Sequence, residues 1–222
     1  LRYGALLRSV LELVRTQRVL RRRAFHQALM FGMFSAFWTE VSYELASRHH
    51  LGQSEIGIFA LVGAAGAGAA PLAGKLGDRG LGSVSTGAAS ALGAASMLLA
   101  GLGSGSLALL AIAGVLMDLA VQTTMVLGQH QVYAVNPAAR SRITTVYLAT
   151  IFAGGAISSA LSGTIYAQAG WGGVTVFAGA LPLAALVLWL SWNLFDRRQN
   201  GGGSVYVAPV GEVQVAAVSG SR

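Results

Sequence analysis

From residue 24 onward the chain alternates long apolar runs with short polar breaks. Six runs, at 24–45, 54–76, 83–102, 107–126, 143–166 and 171–195, each come near the ~20 residues that a helix needs to cross a bilayer. The breaks at 46–53, 77–82, 103–106, 136–142 and 167–170 are short and carry glycine, serine, proline or charge. Lipid offers the backbone no hydrogen bonds, so consecutive apolar runs of this length close their bonds internally as helices. The pattern predicts an all-α fold, a polytopic membrane helical bundle of six transmembrane helices occupying 24–195. Ahead of it, in residues 1–23, Leu6, Leu7, Val10, Leu13 and Val14 recur at helical spacing among Arg2, Arg8, Arg15, Arg18 and Arg21 to Arg23. That stretch predicts a cytoplasmic amphipathic linker helix on the membrane surface. Its arginine cluster follows the weakly apolar part and no small-residue cleavage site precedes it, which argues against a secretory leader. With leucine as its first residue, the chain is expected to be a piece of a longer protein. Residues 196–222, with Gly201-Gly202-Gly203-Ser204, predict a disordered cytoplasmic tail.

Composition sharpens this picture. Hydrophobic residues make up 54% and charged residues 10%, against about 25% charged in ordinary globular chains. Mean hydropathy is +0.61. Thirty glycines beside four prolines suit close helix packing, because small residues line helix contacts in membranes. Cysteine is absent, so thiol chemistry is excluded. The net charge of +7 raises the question of nucleic acid, but the cations flank apolar spans and no soluble basic domain remains to hold a duplex. Lys75, Arg79, Arg140, Arg142, Arg197, Arg198 and the amino-terminal arginines fall on one side of the expected spans, and Arg48 stands on the other. Both termini are therefore expected in the cytoplasm, with the protein multi-pass in the plasma (inner) membrane.

Two kinds of residue inside the spans bear on function. Gly154, Ser158 and Ser162, beside Gly155, Ser159 and Gly163, place small side chains every four residues on the fifth span, and Gly63 and Ala67 repeat the device on the second. Such faces let a neighbouring backbone approach. The polar groups are rarer and costlier, since a carboxylate at the bilayer centre costs at least ~2.5 kcal/mol. Asp118 lies ~18 Å into the fourth span, near the midplane. Gln122, Met125 and Gln129 continue its helix face as a polar stripe suited to water or substrate, the alternative being an acid paired across helices for structure. Glu40 and Glu44 share a face of the first span near Trp38 and Tyr43. Glu44, nearer the outer end, is expected to be solvated beside Arg48, His49 or His50. Glu40 is deeper, yet ~9 Å from Asp118 along the membrane normal, so no direct pair is expected.

The stretch Pro71 to Gly80 carries a family resemblance. Gly74, Leu76, Asp78 and Arg79 fit a Gly-x-Leu-x-Asp-Arg-x-Gly loop, which resembles the loop joining the second and third helices of major facilitator superfamily transporters. A weaker copy joins the eighth and ninth helices in that family, and Leu81-Gly82-Ser83 in place of the usual Gly-Arg-Lys suits the weaker copy. The resemblance is to the carboxy-terminal six-helix half of a drug- or sugar-efflux-like permease. It implies alternating access around a midplane site, with Asp118, Glu40, Gln122, Gln129 and Trp38 on the cavity wall. It also implies a cytoplasmic gating loop of Gly74, Leu76, Asp78 and Arg79, in which Asp78 is placed to accept from span-end amides or from Arg140 or Arg142. The expected activity is proton-coupled efflux of a small molecule, without catalysis, cofactor or metal, completed by an amino-terminal six-helix half or a dimer partner in the lipid bilayer.

Other signals carry less. Asn136-Pro137-Ala138 spells the aquaporin triplet but occurs once and precedes Arg140 and Arg142, so it reads as a turn. An intramembrane serine protease needs a histidine on its last span, and none follows His130. Adjacent His49 and His50 lack a convergent carboxylate and read as solvated. No phosphate-cradling Gly-Lys-Ser/Thr loop is present. The rival from another class is a six-helix membrane scaffold or truncated remnant that transports nothing.

Overall fold

The computed structural model describes residue 12 and residues 15–66, 68–135 and 139–199. Most of the expected linker before Arg15, Ala67 of the second-span seam, the Asn136-Pro137-Ala138 turn and the tail from residue 200 lie outside the described residues. Within them every element is helical and no strand occurs: α1 Arg18–Arg48, α2 Gln53–Gly66, α3 Ala69–Asp78, α4 Gly82–Leu102, α5 Leu107–Val135 and α6 Arg140–Gln199.

The helix boundaries depart from the apolar runs for identifiable reasons. α1 starts at Arg18 and passes without a break into the first run, because arginine is a strong helix former and nothing between Arg18 and Ala24 interrupts it. The single helix expected over 54–76 is instead α2 and α3. Pro71 has no N–H, and its ring crowds the carbonyl four residues earlier, so it is accommodated in the first turn of a new helix. α5 continues past residue 126 to Val135 because Leu127, Gly128 and Val132 are buried even though Gln129 and His130 lie between them. The fifth and sixth runs form α6, two helices that follow one another across a kink at the non-helical Gly170. Helix α6 also runs to Gln199, so it extends into the first residues of the expected tail.

Among the described residues three stretches are long and apolar enough to cross a membrane by length and composition: Gly82–Leu102, Leu107–Val135 and Arg140–Asp196. That is fewer than the six expected. His26, Gln27, Glu40 and Glu44 dilute the apolarity of α1, Pro71 leaves α2 and α3 short, and α6 merges two runs into one.

Contacts fix the directions in which the helices run. From α1 to α5, Arg23 meets Gln131 and Gln27 meets Val121, so these two are antiparallel. From α1 to α4, Arg23 meets Thr86 and His26 meets Ser90, so these are parallel. The segment before Gly170 runs parallel to α1: Ala28 faces Gly154, Gly32 faces Ser158, Glu40 faces Ser162 and Glu44 faces Tyr166. After Gly170 the chain reverses along α4, with Thr175 against Gly101, Met97 against Gly179 and Trp189 against Gly87. α2 and α3 descend beside α5, Gly63 lying at Asp118 and Gly77 at Leu127. One core, centred on Met30, Met33, Phe37, Met97, Leu110, Met117 and Trp171, fills the middle. A second, of Leu20, Ala24, Val132, Ile143, Tyr147 and Ile151, fills the end where α1 begins. The chain divides into compact units after Trp189, and the described residues beyond it are helical.

Gly170 has φ 62° and ψ −161°, a backbone region open in practice only to glycine. Just beyond it, Trp171 is buried and its indole N–H donates to the Ala100 carbonyl at 3.0 Å. Gly170→Ala should therefore lower stability by about 1–3 kcal/mol, read as a fall in melting temperature of the detergent-purified protein. A melting temperature equal to wild type would mean that the reversal tolerates an ordinary backbone conformation.

Candidate functional site

The face shared by α1 and the first part of α6 is built by small residues. A side chain at Gly155 would come within 2.7 Å of Phe31 and of Ser35 Oγ, so glycine there lets those α1 side chains lie against the α6 backbone. One turn on, the Thr39 and Ser159 hydroxyls hydrogen-bond at 2.8 Å. The small-residue faces expected on the fifth span thus meet α1. On either side of the hydroxyl pair the surface opens into concavities of about 430 Å³, walled by Phe31, Phe34, Trp38 and Phe152, and about 340 Å³, walled by Glu40, Tyr43, Gly163 and Tyr166. Thr39 and Ser159 line both, so they form one groove with two lobes. Phe31 and Phe34 stack with centroids 5.2 Å apart, and Phe152 meets Phe31 edge-on at 5.6 Å.

Behind the aromatic lobe sits Asp118, 5% exposed. The Trp38 indole N–H donates to its Oδ1 at 3.2 Å, so two residues singled out separately from sequence form one unit. Gly63 on α2 completes it: a Cβ there would stand 2.8 Å from Asp118 Oδ2 and 2.8 Å from the Trp38 ring. Trp38 therefore has one edge on a buried acid and also lines the open groove. Gln122 and Gln129 are half-buried farther along α5, at the margin of its buried face. Glu40 is 2% exposed and its Oε1 accepts from the Ser162 hydroxyl at 2.9 Å. Among the described residues neither Asp118 nor Glu40 has a cation within ion-pair distance.

Glu44 departs from expectation. It is 5% exposed, not solvated, and is held by Arg48 at 3.5 Å and by the Tyr166 hydroxyl at 3.4 Å. His49 is likewise engaged, its Nε2 lying 2.8 Å from the Ser104 carbonyl. Among the described residues no group of three metal-ligating side chains forms.

At the opposite end, the Gly-x-Leu-x-Asp-Arg-x-Gly loop closes α3. The Leu81 N–H bonds the Leu76 carbonyl and the Gly80 N–H bonds the Gly77 carbonyl, each at 3.0 Å, with Gly80 at φ 75°. That is a Schellman cap, and it accounts for the last glycine of the motif. Gly74 faces open space, so packing within these residues does not account for it. Asp78 is exposed and 3.8 Å from His130 of α5. No ion pair joins it to Arg140 or Arg142 among the described residues, and Arg140 instead lies over the Tyr133 ring at 4.6 Å. Arg79 is exposed at the helix end and Leu76 is half-buried.

Sequence reasoning passed over a polar node near this end. Arg23 Nε donates to Gln131 Oε1 at 2.6 Å and its Nη1 to Thr86 Oγ1 at 3.1 Å, while His26 Nε2 lies 3.0 Å from Ser90 Oγ. Arg23, His26 and Gln27 fall at i, i+3 and i+4, which was the available signal.

The described residues thus form an all-helical bundle with helices long and apolar enough to cross a membrane, buried acids and an open aromatic groove. The sequence profile of the Major Facilitator Superfamily matches residues 24–208, and the chain belongs to that family. It is 34% identical over 200 residues to the "Uncharacterized transporter YgaY" of Escherichia coli O157:H7, covering 90% of this chain and 50% of that protein. The YgaY transporter of Escherichia coli K12 matches to the same extent. The "Probable transporter SCO4007" of Streptomyces coelicolor is 38% identical over 170 residues, which is 76% of this chain and 39% of that protein. The chain thus spans about half the length, or less, of these curated relatives.

Proposed function

We propose that the chain forms six membrane crossings of a major facilitator carrier that moves a small molecule by alternating access, with proton-coupled efflux as its direction and drive. The observation that carries this reading is the Trp38–Asp118 bond, which ties a groove large enough for a small ligand to a buried acid able to exchange a proton. The six crossings are supported by the alternating directions of α1, α2 with α3, α4, α5 and the two parts of α6. At 1.5 Å per residue, the 57 residues of Arg140–Asp196 would extend ~86 Å, far more than one crossing of ~30 Å. Asp118 and Glu40 bind or release the proton, Gln122 and Gln129 line the path, and Gly74, Leu76, Asp78, Arg79, Arg140 and Arg142 mark the cytoplasmic gate. The groove is open on one side, and a second membrane domain or a second copy encloses it.

Single cysteines placed among these 222 residues, which hold none of their own, test this reading in the complete protein. Ser83→Cys and Ser141→Cys should react only with reagent on the cytoplasmic side and Ser47→Cys only from outside. Ser35→Cys, in the groove, should react from both sides. Labelling of Ser47→Cys and Ser83→Cys from one side overturns the topology, and Ser35→Cys reacting from one side only overturns alternating access.

A further inference from the structure

We infer that the two-lobed groove between α1 and the first part of α6 takes a lipophilic organic cation, its charge set beside the Glu40 carboxylate and its body against Phe31, Phe34, Trp38 and Phe152. The inference deepens the transport reading and rests on it. Glu40 lines the groove while remaining almost wholly buried, and one of its oxygens is held by Ser162 with no cationic side chain nearby among the described residues. When it has released its proton, a buried carboxylate in that position is stabilised by positive charge brought by a ligand.

The rest of the surface selects what brings that charge. Neither lobe is lined by Lys, Arg or His, so an anionic ligand would find one acid, Glu40, and no counter-charge. A neutral apolar ligand would fill the aromatic lobe and make no use of the Glu40 carboxylate. Aromatic faces attract cations and repel anions, and four aromatic rings line the lobe that adjoins the one holding Glu40. Combined volumes of about 430 and 340 Å³ suit a drug-sized molecule, and not a bare metal ion. The hydroxyls of Ser35, Thr39 and Ser159 offer orientation without charge. Because Trp38 both lines this groove and donates to Asp118, a ligand resting on the indole acts directly on the acid proposed to carry the proton.

Tetraphenylphosphonium and tetraphenylborate make the test, since they share shape and greasiness and differ in sign. Equilibrium dialysis of the complete, detergent-purified protein against empty micelles should show saturable binding of the phosphonium and none of the borate. Glu40→Gln should weaken phosphonium binding by at least about tenfold. Equal binding of both ions, or undiminished binding by Glu40→Gln, overturns the inference. The comparison of the two ions uses wild-type protein, so it stands even if the variant fails to fold. Protection of Ser35→Cys separates the two readings: reactivity from both sides with protection by the borate as good as by the phosphonium sinks the ligand class alone. Reactivity from one side only sinks transport itself.

Discussion

Asp118→Asn, placed in the complete protein, should leave expression and melting temperature close to wild type while uphill transport driven by a proton gradient falls by two orders of magnitude or more, roughly the contribution of a positioned proton-transfer group. The stability half follows from the contact set. Asp118 accepts one hydrogen bond, from Trp38, and has no cationic partner among the described residues. An asparagine carbonyl accepts the same indole N–H, so the loss should stay near ~1 kcal/mol, the scale of a single hydrogen bond. Had Asp118 been half of a buried ion pair, removing it would have stranded the partner charge at a cost of ~3–5 kcal/mol. The transport half follows from chemistry, because an amide cannot exchange the proton that coupling requires. Downhill exchange of substrate should persist. Proteoliposomes loaded with and without a pH gradient measure both, and a variant that pumps like wild type, or one that cannot be purified, removes Asp118 from the coupling role.

Gly154→Val should be the most damaging single change to the fold. A Cβ at Gly154 would stand 2.8 Å from the Ala28 Cβ and 2.8 Å from the Ala28 carbonyl oxygen. Backbone cannot swing aside as a long side chain does, so α1 and α6 must separate along the face that also holds the Thr39–Ser159 and Glu40–Ser162 bonds. Overpacking of this kind costs about 1–3 kcal/mol and more where backbone is struck. The expected readout is loss of the monodisperse peak in detergent size-exclusion together with a lowered melting temperature. Gly172→Ala is the matched comparison, since nothing lies within 4 Å of its added carbon, and it should change stability by less than about 0.5 kcal/mol. Comparable damage from both would mean that the α1–α6 contact is not what sets the cost of Gly154→Val.

These two sites illustrate what a sequence exposes. The four-residue spacing of Gly154, Ser158 and Ser162 announced a close-packed face, but periodicity names a face without naming its partner. That α1 lies against it became visible only in three dimensions. Asp118 and Trp38 each stood out as a polar or aromatic residue in an apolar run, whereas their bond links positions 80 residues apart. Glu40 was legible and its partner Ser162 was not, for the same reason. Local errors had local causes: apolar length outweighed Pro71 in the second run, and Gln129 with His130 truncated the fourth although Leu127, Gly128 and Val132 around them continue a buried face. The charged loop was recognisable by its residue order, yet Asp78 faces His130 instead of the arginines, because exposed side chains at a helix end are placed by the neighbouring helix rather than by charge alone.

Gly170 joins the segment packed on α1 to the segment packed on α4 without a loop. Connections of several residues, such as Gly103–Ser106 between α4 and α5, can lengthen at small entropic cost. A single residue has no such slack. Tyr166, four positions before it, touches Glu44 and Ser47 at the end of α1, and Trp171, the next residue, is anchored on Ala100 near the end of α4. The last two segments thus meet at one residue, and the angle between them is set by the backbone of Gly170 and by the contacts of Tyr166 and Trp171 on either side of it.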